Sequence, residues 1–300
     1  MSENKDHPIV SIILPTYNRA DLIVETIASI LNQTYQRWEL IIIDDGSEDN
    51  TEEIVTQIKD ERIQFHKAGR IGIVGKIKNI GIEKATGELL AFIDSDDLWA
   101  ETKLEKQIAA LQLYPEAGFS LTGGYNFRNN LETVDYFYKK TDGFRYDNLF
   151  YNCFTSEVTA FTQALMLHKN CVDKAGMFIE EKTFSDVEFI CNLAYNFKGV
   201  ILYEPLVYRR LHDENYINPN WEKSFYEGIA IIQSYRDKLP PEIWRNALFR
   251  SYINFGEKCL RYKKRRKAIN NFLNAWQHKI LSIVPIKKII KTFFYYLKRK

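Results

Sequence analysis

The sequence of 300 residues lacks several features that would assign it to a special class of protein. No stretch approaches about 18 uninterrupted apolar residues, so no membrane-spanning helix is expected. The first residues, MSENKDHP, contain no apolar segment, so we expect no secretory signal. Cysteines are few and form no CxxC pair, which predicts buried thiols in a reducing compartment rather than a disulfide or zinc framework. They are Cys153, Cys171, Cys191 and Cys259.

Acidic residues are absent from the last part of the chain. Residues 261–300 contain 13 Lys or Arg and no Asp or Glu, whereas residues 1–260 hold 28 basic and 39 acidic side chains, a net charge of −11. The segment 278–300 mixes Ile, Phe and Tyr with lysines at helical spacing, and Pro285 interrupts it. A basic amphipathic segment of this kind is typical of contact with an anionic membrane surface. A packed helix with a solvated basic face is the alternative, and the acidic body argues against a nucleic-acid role.

Apolar runs and helical patterns alternate along the first third of the chain. The runs are short, rich in β-branched residues, and occupy 9–15, 38–44, 62–66 and 89–94. Helical patterns occupy 20–33, 51–59 and 76–85, and others follow at 100–114, 185–197 and 221–300. This alternation predicts an α/β fold with a mostly parallel sheet flanked by helices. In such sheets ligands bind at the carboxyl ends of the strands.

Three carboxylates follow the fourth apolar run, in FIDSDDLW at 92–99. Asp94, Asp96 and Asp97 repel one another at the end of a strand that is predicted to be buried. Hard oxygen ligands suit Mg²⁺ or Mn²⁺, and these cations share their coordination with a substrate diphosphate. A helix cap is the alternative, although one carboxylate would suffice for it. The number of carboxylates therefore favours the metal.

Polar residues also follow the first two predicted strands. Asp44 and Asp45 end the second run, where a carboxylate can accept hydrogen bonds from a nucleobase or a ribose. A solvated turn explains this acidic pair equally well. Thr16 and Tyr17 follow the first run and suit hydrogen bonding to a base and stacking on it. A plain loop is the alternative there.

Two lysines lie near the start of the third predicted helix, in GIVGKIKNIGIEKATGE at 72–88. Lys76 or Lys78 suits a diphosphate, and an exposed helix face is the alternative. The segment lacks the GxGxxG of dinucleotide-binding folds and the GxxxxGK[ST] of P-loops. Neither of those two classes of nucleotide site is therefore indicated.

Together these segments resemble the family 2 glycosyltransferases, which have the GT-A nucleotide-sugar-binding fold. The resemblance rests on VSIILPTYNR, QTYQRWELIIIDDGSEDNT, NIGIEKATGELLAFIDSDD and FSDVEFI, within residues 8–215. It implies that Thr16 and Tyr17 line the base pocket, that Asp44 or Asp45 contacts the base or ribose, and that Asp94 lies near the sugar or ribose. The full set of donor-binding residues that it implies is Pro15, Thr16, Tyr17, Asp44, Asp45, Lys76, Lys78, Asp94, Ser95 and Asp97. The implied ligands of a divalent cation, Mn²⁺ or Mg²⁺, are Asp96 and His212.

The resemblance also implies a general base at the start of a helix in the second half of the chain. In TFSDVEF, at 183–189, the matching residue is Asp186, which follows Ser185 where the family usually has Glu. Such a carboxylate takes the proton of an acceptor hydroxyl as the hydroxyl attacks the sugar. Glu188 is the second candidate. A helix cap at Ser185 or Asp186 is the alternative explanation of the motif.

Two further segments depart from the family pattern. Lys78, in Ile77-Lys78-Asn79, stands where the family commonly has Arg, so the charge is kept but the bidentate fork is lost. YRRLHDEN, at 208–215, resembles the family's Tyr-Arg-x-His segment with one extra residue. Arg209 or Arg210 is expected to face the diphosphate, and a polar loop is the alternative.

The resemblance implies an inverting, metal-dependent glycosyltransferase in surface-polysaccharide assembly. The donor is a nucleotide-diphosphate sugar, with UDP as the default nucleotide, and the acceptor is a glycan or lipid-linked glycan. We expect a GT-A domain at 1–220 and a helical extension at 221–300, whose basic tail at 261–300 contacts the cytoplasmic face of the membrane. A non-catalytic nucleotide-sugar-binding protein is the alternative. A nucleotidyltransferase fits less well, because PTYNRAD has no glycine-rich, lysine-bearing loop.

Overall fold

The structure, a computed structural model, describes most of the chain. The described residues are 7–128, 132–159, 161–182, 185–211 and 217–297, and the side chains of 217–220 and 293–297 are left out of the description. The chain divides into two compact units. The first comprises residues 1–153 and 159–218, and the second comprises 154–158 and 219–300.

Four strands and three helices alternate along the beginning of the first unit, as the sequence predicts. The strands are β1 (Val10–Thr16), β2 (Trp38–Asp44), β3 (Ile63–Lys67) and β4 (Leu89–Phe92), and the helices are α1 (Ile23–Leu31), α2 (Thr51–Gln57) and α3 (Val74–Lys84). β1, β2 and β4 are buried along nearly their whole length. Their continuous apolar runs are explained by this burial, since helices cover both faces of a parallel sheet.

The remainder of the first unit contains shorter strands and further helices. They are β5 (Leu98–Trp99), α4 (Lys103–Leu113), β6 (Ala117–Phe127), β7 (Thr133–Tyr136), β8 (Phe144–Asp147), α5 (Phe150–Thr155, which extends into the second unit), a 3-10 helix (Thr162–Ala164), β9 (Leu165–His168), α6 (Cys171–Ala175), α7 (Ser185–Asn196) and β10 (Lys198–Arg210). The predicted helices at 100–114 and 185–197 correspond to α4 and α7.

All the strands belong to one sheet with the order β3-β2-β1-β4-β9-β6-β10-β5, and β7 and β8 pair at β6 and β10. The half formed by β3, β2, β1 and β4 is parallel, as predicted. The other half is more mixed than the sequence suggests, because β9 runs antiparallel between β4 and β6. Only β6 and β10 pair in parallel among the described strands of that half. The predicted α/β class with helices on the sheet holds.

A gap opens between β1 and β4 at their carboxyl ends, and Pro15 contributes to it. β4 pairs with β1 only as far as Ile13, opposite Phe92. The carbonyl of Ile13 accepts a hydrogen bond from the Ile93 N–H. The backbone N–H and C=O groups of the odd-numbered residues of β1 are therefore directed towards β4. Pro15 has no backbone N–H to direct towards β4, and it follows the last pair of residues that joins the two strands. The strand order also reverses between these two strands, which is where open α/β sheets bind ligands.

Helices pack on both faces of the sheet in the first unit. On one face, α1 contributes Ile23, Ile27 and Ile30 to a core with Ile12 and Leu14 of β1, and α4 adds Leu104, Ile108 and Leu111. On the other face α3 packs on β1 and β2. Phe189 of α7 packs edge-on against Phe92 of β4, with ring centroids 6.3 Å apart. These contacts fix α3 and α7 beside the gap.

The described part of the second unit contains helices, as predicted for 221–300. They are α8 (Ile217–Ser234), a 3-10 helix (Arg236–Lys238), α9 (Pro241–Arg261), α10 (Arg265–His278) and α11 (Val284–Leu297). Their core includes Trp221, Phe255 and Phe272. Pro285 lies in the first turn of α11, where a proline is tolerated, and separates it from α10. No helix in the described ranges has the length and apolar character needed to cross a membrane.

Candidate functional site

A cavity of about 230 Å³ lies at the carboxyl ends of the parallel strands. Ten of the thirteen site residues predicted from the sequence line it: Pro15, Thr16, Tyr17, Asp45, Lys78, Asp94, Ser95, Asp96, Asp97 and Asp186. They come from the end of β1 and the residue after it, from the segments after β2 and β4, and from the N-terminal halves of α3 and α7. The sequence pattern therefore brought together residues that are up to 171 positions apart, because strand ends of one sheet share an edge.

Three predicted residues do not line this cavity in the described structure. Asp44 accepts hydrogen bonds from the N–H groups of Gly46 (3.2 Å) and Ser47 (3.0 Å), so its carboxylate closes the turn after β2. Lys76 is about half exposed, and its ammonium lies 3.7 Å from Glu180. His212 lies outside the described residues. For Asp44, the turn that the sequence left as an alternative is thus present.

One end of the cavity is formed by Tyr17, Asp45 and Arg70. The buried Asp45 carboxylate pairs with the Arg70 guanidinium and accepts hydrogen bonds from the N–H groups of Ile71 (2.5 Å) and Gly72 (3.0 Å). The guanidinium carbon of Arg70 lies 3.8 Å from the centre of the Tyr17 ring. Aromatic, carboxylate and guanidinium groups thus converge here, a combination able to stack on a planar base and hydrogen-bond its edge.

Thr16 lies beside this end of the cavity. Its side chain is buried, and its hydroxyl oxygen has no hydrogen-bond partner among the described residues. An unpaired buried hydroxyl is unfavourable, so such groups usually have a partner. Because Thr16 lines the cavity, a bound ligand is a suitable partner.

The carboxylates after β4 are tied to neighbouring elements. Gln163 donates from its side-chain nitrogen to Asp94 (2.6 Å) and Asp97 (2.9 Å). The Arg210 N–H donates to Asp97 (2.8 Å), and Arg19 lies 3.8 Å from Asp96. α4 begins at Lys103, so none of these carboxylates caps the helix that follows. The helix-cap alternative for FIDSDDLW is thus wrong.

Negative charge accumulates at this point of the cavity. Burial raises the pKa of Asp94 to about 6; the Lys78 ammonium lowers this pKa, and the Asp186 and Asp96 carboxylates raise it further. Burial, together with Asp96 and Asp94, also raises the pKa of Asp97 well above its usual range. The cluster consequently favours an added positive charge, whether a proton or a cation.

Lys78 and Asp186 form an ion pair in which the lysine is buried and the carboxylate is 31% exposed, and the Lys78 ammonium also lies 3.8 Å from Asp94. The ammonium nitrogen of Lys78 lies 3.0 Å from both oxygens of Asp186 and donates to the hydroxyl of Thr162 at 2.7 Å. Burial alone lowers the pKa of Lys78, but the Asp186 and Asp94 carboxylates reverse the effect and raise it. Glu188, the second candidate for the base, pairs with Lys182 at 2.5 Å and does not line the cavity.

Several residues of the site were not predicted from the sequence. Arg70 follows β3 and was missed, although the rule that polar residues cluster at strand ends applies to it as well. Thr162 and Gln163 lie in a short 3-10 helix that no periodicity predicts. Arg209, named from the family segment, lines the cavity, whereas the buried Arg210 pairs with Glu25 at 2.5 Å.

The implied divalent cation requires oxygen ligands, which the carboxylates of the cavity offer. Among the described residues, no group of three Asp, Glu, His or Cys side chains has the arrangement of a metal site. Mg²⁺ and Mn²⁺ nevertheless require few protein ligands when they share their coordination with phosphate oxygens and water. Asp96 faces the cavity within a cluster that already carries an excess of negative charge. The residues therefore fit a cation shared with a diphosphate, and not one enclosed by protein alone.

The sequence is similar to several characterised and uncharacterised glycosyltransferases. TuaG of Bacillus subtilis (strain 168), assigned to teichuronic acid biosynthesis, is 36% identical over 147 residues, which cover 48% of this chain and 58% of TuaG. WfgD of Escherichia coli, a UDP-Glc:alpha-D-GlcNAc-diphosphoundecaprenol beta-1,3-glucosyltransferase, is 37% identical over 148 residues, 49% of this chain and 57% of WfgD. The chain thus matches a little over half the length of these two relatives.

The fold is similar to solved structures of S. aureus TarS. TarS 1–349 in complex with UDP-GlcNAc has a TM-score of 0.69 at 20% identity, and the match covers 90% of this chain and 81% of that structure. The predicted GT-A type fold with a helical C-terminal portion is confirmed by this similarity. The model of glycosyl transferase family 2 matches residues 11–169, which is just over half of the 300 residues. On this match, the chain belongs to glycosyl transferase family 2.

Proposed function

We propose that the protein is an inverting glycosyltransferase that moves a sugar from a nucleotide-diphosphate donor to a hydroxyl group of a glycan. The observation that carries the proposal is the composition of one cavity. Tyr17, Asp45 and Asp96 offer groups for a base, a ribose and a metal-bound diphosphate, and Asp186, on α7, is a further carboxylate of the same cavity. A donor site and a general base are the two parts that this reaction needs.

The donor in this proposal is a UDP-sugar. This choice is supported by the Tyr17 ring and the Asp45 carboxylate, which suit stacking on uracil and hydrogen bonding to it, and by the unpaired hydroxyl of Thr16. TarS 1–349 has been solved with UDP-GlcNAc and with UDP, and WfgD is named for UDP-Glc. These similarities support a uridine nucleotide without selecting the sugar.

In the proposed reaction the acceptor oxygen attacks C1 of the donor sugar, and the bond from C1 to the diphosphate breaks. Asp186 accepts the hydroxyl proton, and the nucleoside diphosphate leaves with the bonding electrons. The carboxylate of Asp186 is 31% exposed, so an acceptor can reach it. Arg209 and Arg19 line the same cavity and offset negative charge on the leaving group. One base and one displacement give inversion at C1.

A divalent cation, Mn²⁺ or Mg²⁺, completes this proposal. Asp96 would hold it, together with oxygens of the diphosphate. When bound, it would neutralise charge on the leaving diphosphate. His212, the second ligand expected from the sequence, lies outside the described residues.

The acceptor in this proposal is a lipid-linked glycan, and the setting is surface-polysaccharide assembly at the cytoplasmic face of the membrane. WfgD is named for a diphosphoundecaprenol-linked acceptor, and TuaG is assigned to teichuronic acid biosynthesis. The described cysteines are free thiols, as a reducing compartment would keep them. The second unit carries the basic 261–300 segment, which suits an anionic lipid surface.

Release of nucleoside diphosphate from a donor panel tests the proposal. We would incubate the full chain with UDP-, GDP- and dTDP-sugars, a GlcNAc-diphospholipid acceptor, and Mn²⁺ or EDTA. We expect acceptor-dependent release from one UDP-sugar, lost in EDTA. Asp186→Asn should reduce kcat by about 10²–10⁴-fold, the usual contribution of a general base. Lys76→Met, which alters a half-exposed side chain outside the cavity, should retain activity.

The alternative is a non-catalytic protein that binds nucleotide-sugars. It predicts a thermal shift with UDP-sugar and Mn²⁺ but no product with any acceptor. Asp186→Asn distinguishes the two functions, because it should leave donor binding intact in both and abolish turnover only in an enzyme. Full turnover by Asp186→Asn would overturn the assignment of the base.

A further inference from the structure

Two adjacent residues, Thr162 and Gln163, contact both the proposed base and the carboxylates that follow β4. They belong to the 3-10 helix Thr162–Ala164, which directly precedes β9. Thr162 contacts Asp186, the proposed base. Gln163 contacts Asp94 and Asp97 on the donor side. One peptide unit, with its two Cα atoms about 3.8 Å apart, thus joins the two halves of the site.

The hydroxyl of Thr162 has a fixed direction. It accepts a hydrogen bond from the Lys78 ammonium at 2.7 Å, and it donates its single proton to Asp186 at 2.9 Å. Thr162 is fully buried, so water does not compete for either bond. Together with the Lys78 ammonium, which lies 3.0 Å from both Asp186 oxygens, the hydroxyl restricts rotation of the Asp186 carboxylate.

The amide of Gln163 is also restricted. Both of its N–H groups are directed at carboxylates, Asp94 at 2.6 Å and Asp97 at 2.9 Å. The side-chain nitrogen of Gln163 carries two N–H donors, whereas its oxygen can only accept. The two carboxylates therefore determine which end of the amide faces them. Its side-chain oxygen is buried and has no hydrogen-bond partner among the described residues. The two hydrogen bonds to the carboxylates thus fix the amide in an orientation that leaves its oxygen without a partner.

The backbone of this pair is anchored in the core. The indole N–H of Trp99 donates to the carbonyl of Gln163 at 3.2 Å. The side-chain amide of Gln107 donates to the carbonyl of Ala164 at 3.0 Å. Both donors are buried, Trp99 in β5 and Gln107 in α4. These two hydrogen bonds hold the backbone of the pair in place, while the Gln163 side chain lines the cavity and the Thr162 hydroxyl contacts Asp186.

We propose that Thr162 and Gln163 are positioning residues that set the distance between the general base and the donor carboxylates. The inference rests on the proposed glycosyltransferase function and extends it to two residues outside the recognised motifs. Thr162 acts through Asp186, and its loss disturbs proton transfer to the base. Gln163 acts through Asp94 and Asp97, and its loss lets these like charges separate, which weakens the donor site.

The alternative is that both residues only fill space in the core. In that case their substitution would lower stability without changing either kinetic constant of the folded enzyme. A positioning role instead predicts different kinetic effects at two neighbouring positions. Loss at Thr162 lowers kcat with little change in the KM of the donor, and loss at Gln163 raises that KM.

The experiment compares Thr162→Val with Thr162→Ser, and Gln163→Met with the unaltered chain, in steady-state assays with a UDP-sugar, Mn²⁺ and acceptor. Thr162→Val keeps the shape but removes the hydroxyl, and we expect kcat to fall about tenfold or more, the usual effect of losing one hydrogen bond to a charged group. Thr162→Ser restores the hydroxyl and should recover kcat to within about threefold. Gln163→Met should raise the donor KM about tenfold. Calorimetric titration with UDP and Mn²⁺ should show the same weakening in Gln163→Met without acceptor.

The outcomes separate the inference from the function on which it rests. If the unaltered chain turns over no donor, the proposed function and the inference are both overturned. If it is active and Thr162→Val keeps its kcat, the inference alone is overturned. If Thr162→Val fails to fold, Thr162→Ala, which introduces no larger group, provides the same comparison with Thr162→Ser. Equal effects of Thr162→Val and Thr162→Ser would also overturn the role of the hydroxyl.

Discussion

The ammonium nitrogen of Lys78 lies 3.0 Å from each carboxylate oxygen of Asp186, and Lys78 is the more deeply buried of the two. The sequence suggested that Lys78 contacts the donor diphosphate, as a replacement for the arginine common in the family. In the structure it faces the proposed base instead, with Asp94 3.8 Å away. A lysine is a compact point charge, which suits a position enclosed by three oxygen-bearing side chains better than a planar fork does.

Replacing Lys78 should therefore impair catalysis more than donor binding. We expect Lys78→Met to lower kcat at least about tenfold, because the Asp186 carboxylate loses its charged donor. Lys78→Arg should not restore the activity, since a larger planar group does not reproduce the contacts of the compact ammonium with Asp186 and Thr162. Steady-state kinetics would measure both effects. Lys76→Met, two residues earlier in the same helix, is the control, and an equal loss in that variant would show that the helix rather than the ion pair is responsible.

Gly75 permits the close approach of α3 and α7 that brings Lys78 to Asp186. A Cβ atom added at Gly75 would lie 2.8 Å from the Ser185 hydroxyl oxygen and 3.1 Å from the Ile179 carbonyl oxygen. We expect Gly75→Ala to lower kcat and the melting temperature, because the two helices must move apart. Gly228→Ala, in α8, has no neighbour within 4 Å and should instead stabilise its helix by about 1 kcal/mol. Thermal unfolding and kinetics of both variants would decide, and an active, stabilised Gly75→Ala would contradict the prediction.

The sequence allowed prediction of the parallel half of the sheet and its rim. β1, β2 and β4 read as continuous apolar runs, and physical rules place their carboxyl ends at one edge. Asp45, Asp94 and Asp96 were identified in this way. The roles of Asp186 and the cation came instead from the family resemblance, since the residues before Asp186 give no independent signal of a base.

The antiparallel half was harder to predict. β9 has only four residues, Leu165–His168, and its pairing with β4 joins segments far apart in the chain. Thr162 and Gln163 reach partners 24 and 69 residues away, and no local periodicity encodes such contacts. Tertiary packing rather than propensity determines these positions. Sequence reasoning consequently found the carboxylates of the site and missed Thr162 and Gln163, the neutral residues that contact them.

Lys103 is a buried lysine that the proposed reaction does not use. Its ammonium donates to the Gln107 side-chain oxygen at 2.7 Å and lies 3.8 Å from the centre of the Trp99 ring. Among the described residues it forms no ion pair, and burial lowers its pKa well below the ordinary value of 10.5. In the unfolded chain the same amine has its ordinary pKa and is protonated at neutral pH.

The depressed pKa of Lys103 predicts how stability depends on pH. Between the folded pKa and about 10.5 the unfolded state binds the extra proton, so stability rises with pH by up to about 1.4 kcal/mol per pH unit. The Lys103→Met variant has no amine at this position, so its stability lacks this dependence on pH. As the pH rises from 7 to 9.5, the melting temperature of the unaltered chain should therefore increase relative to that of Lys103→Met. Calorimetry of both proteins at these two pH values tests the prediction. An unchanged difference between their melting temperatures would show that Lys103 titrates normally.

The connection between α10 and α11 exposes an apolar surface suited to a membrane. Leu281 is 100% exposed, and Ile280 and Ile283 are more than half exposed. Lys279 precedes them and Lys287 follows, in a segment without acidic residues. Apolar side chains flanked by lysines match the boundary between acyl chains and anionic headgroups. We therefore expect this connection to be the part of the tail that enters the lipid.

Leu281→Ser should weaken binding of the full chain to vesicles containing phosphatidylglycerol by about tenfold, because full burial of a leucine is worth about 1.5–3 kcal/mol. Leu113→Ser is the matched control, since Leu113 is 65% exposed but belongs to α4 in the first unit. Co-sedimentation at low and high salt separates the apolar contribution from the electrostatic one, which salt screens. Neutral phosphatidylcholine vesicles should bind weakly in every case. Equal binding by Leu281→Ser and the unaltered chain would mean that the lysines alone attract the lipid and that the apolar connection serves another contact.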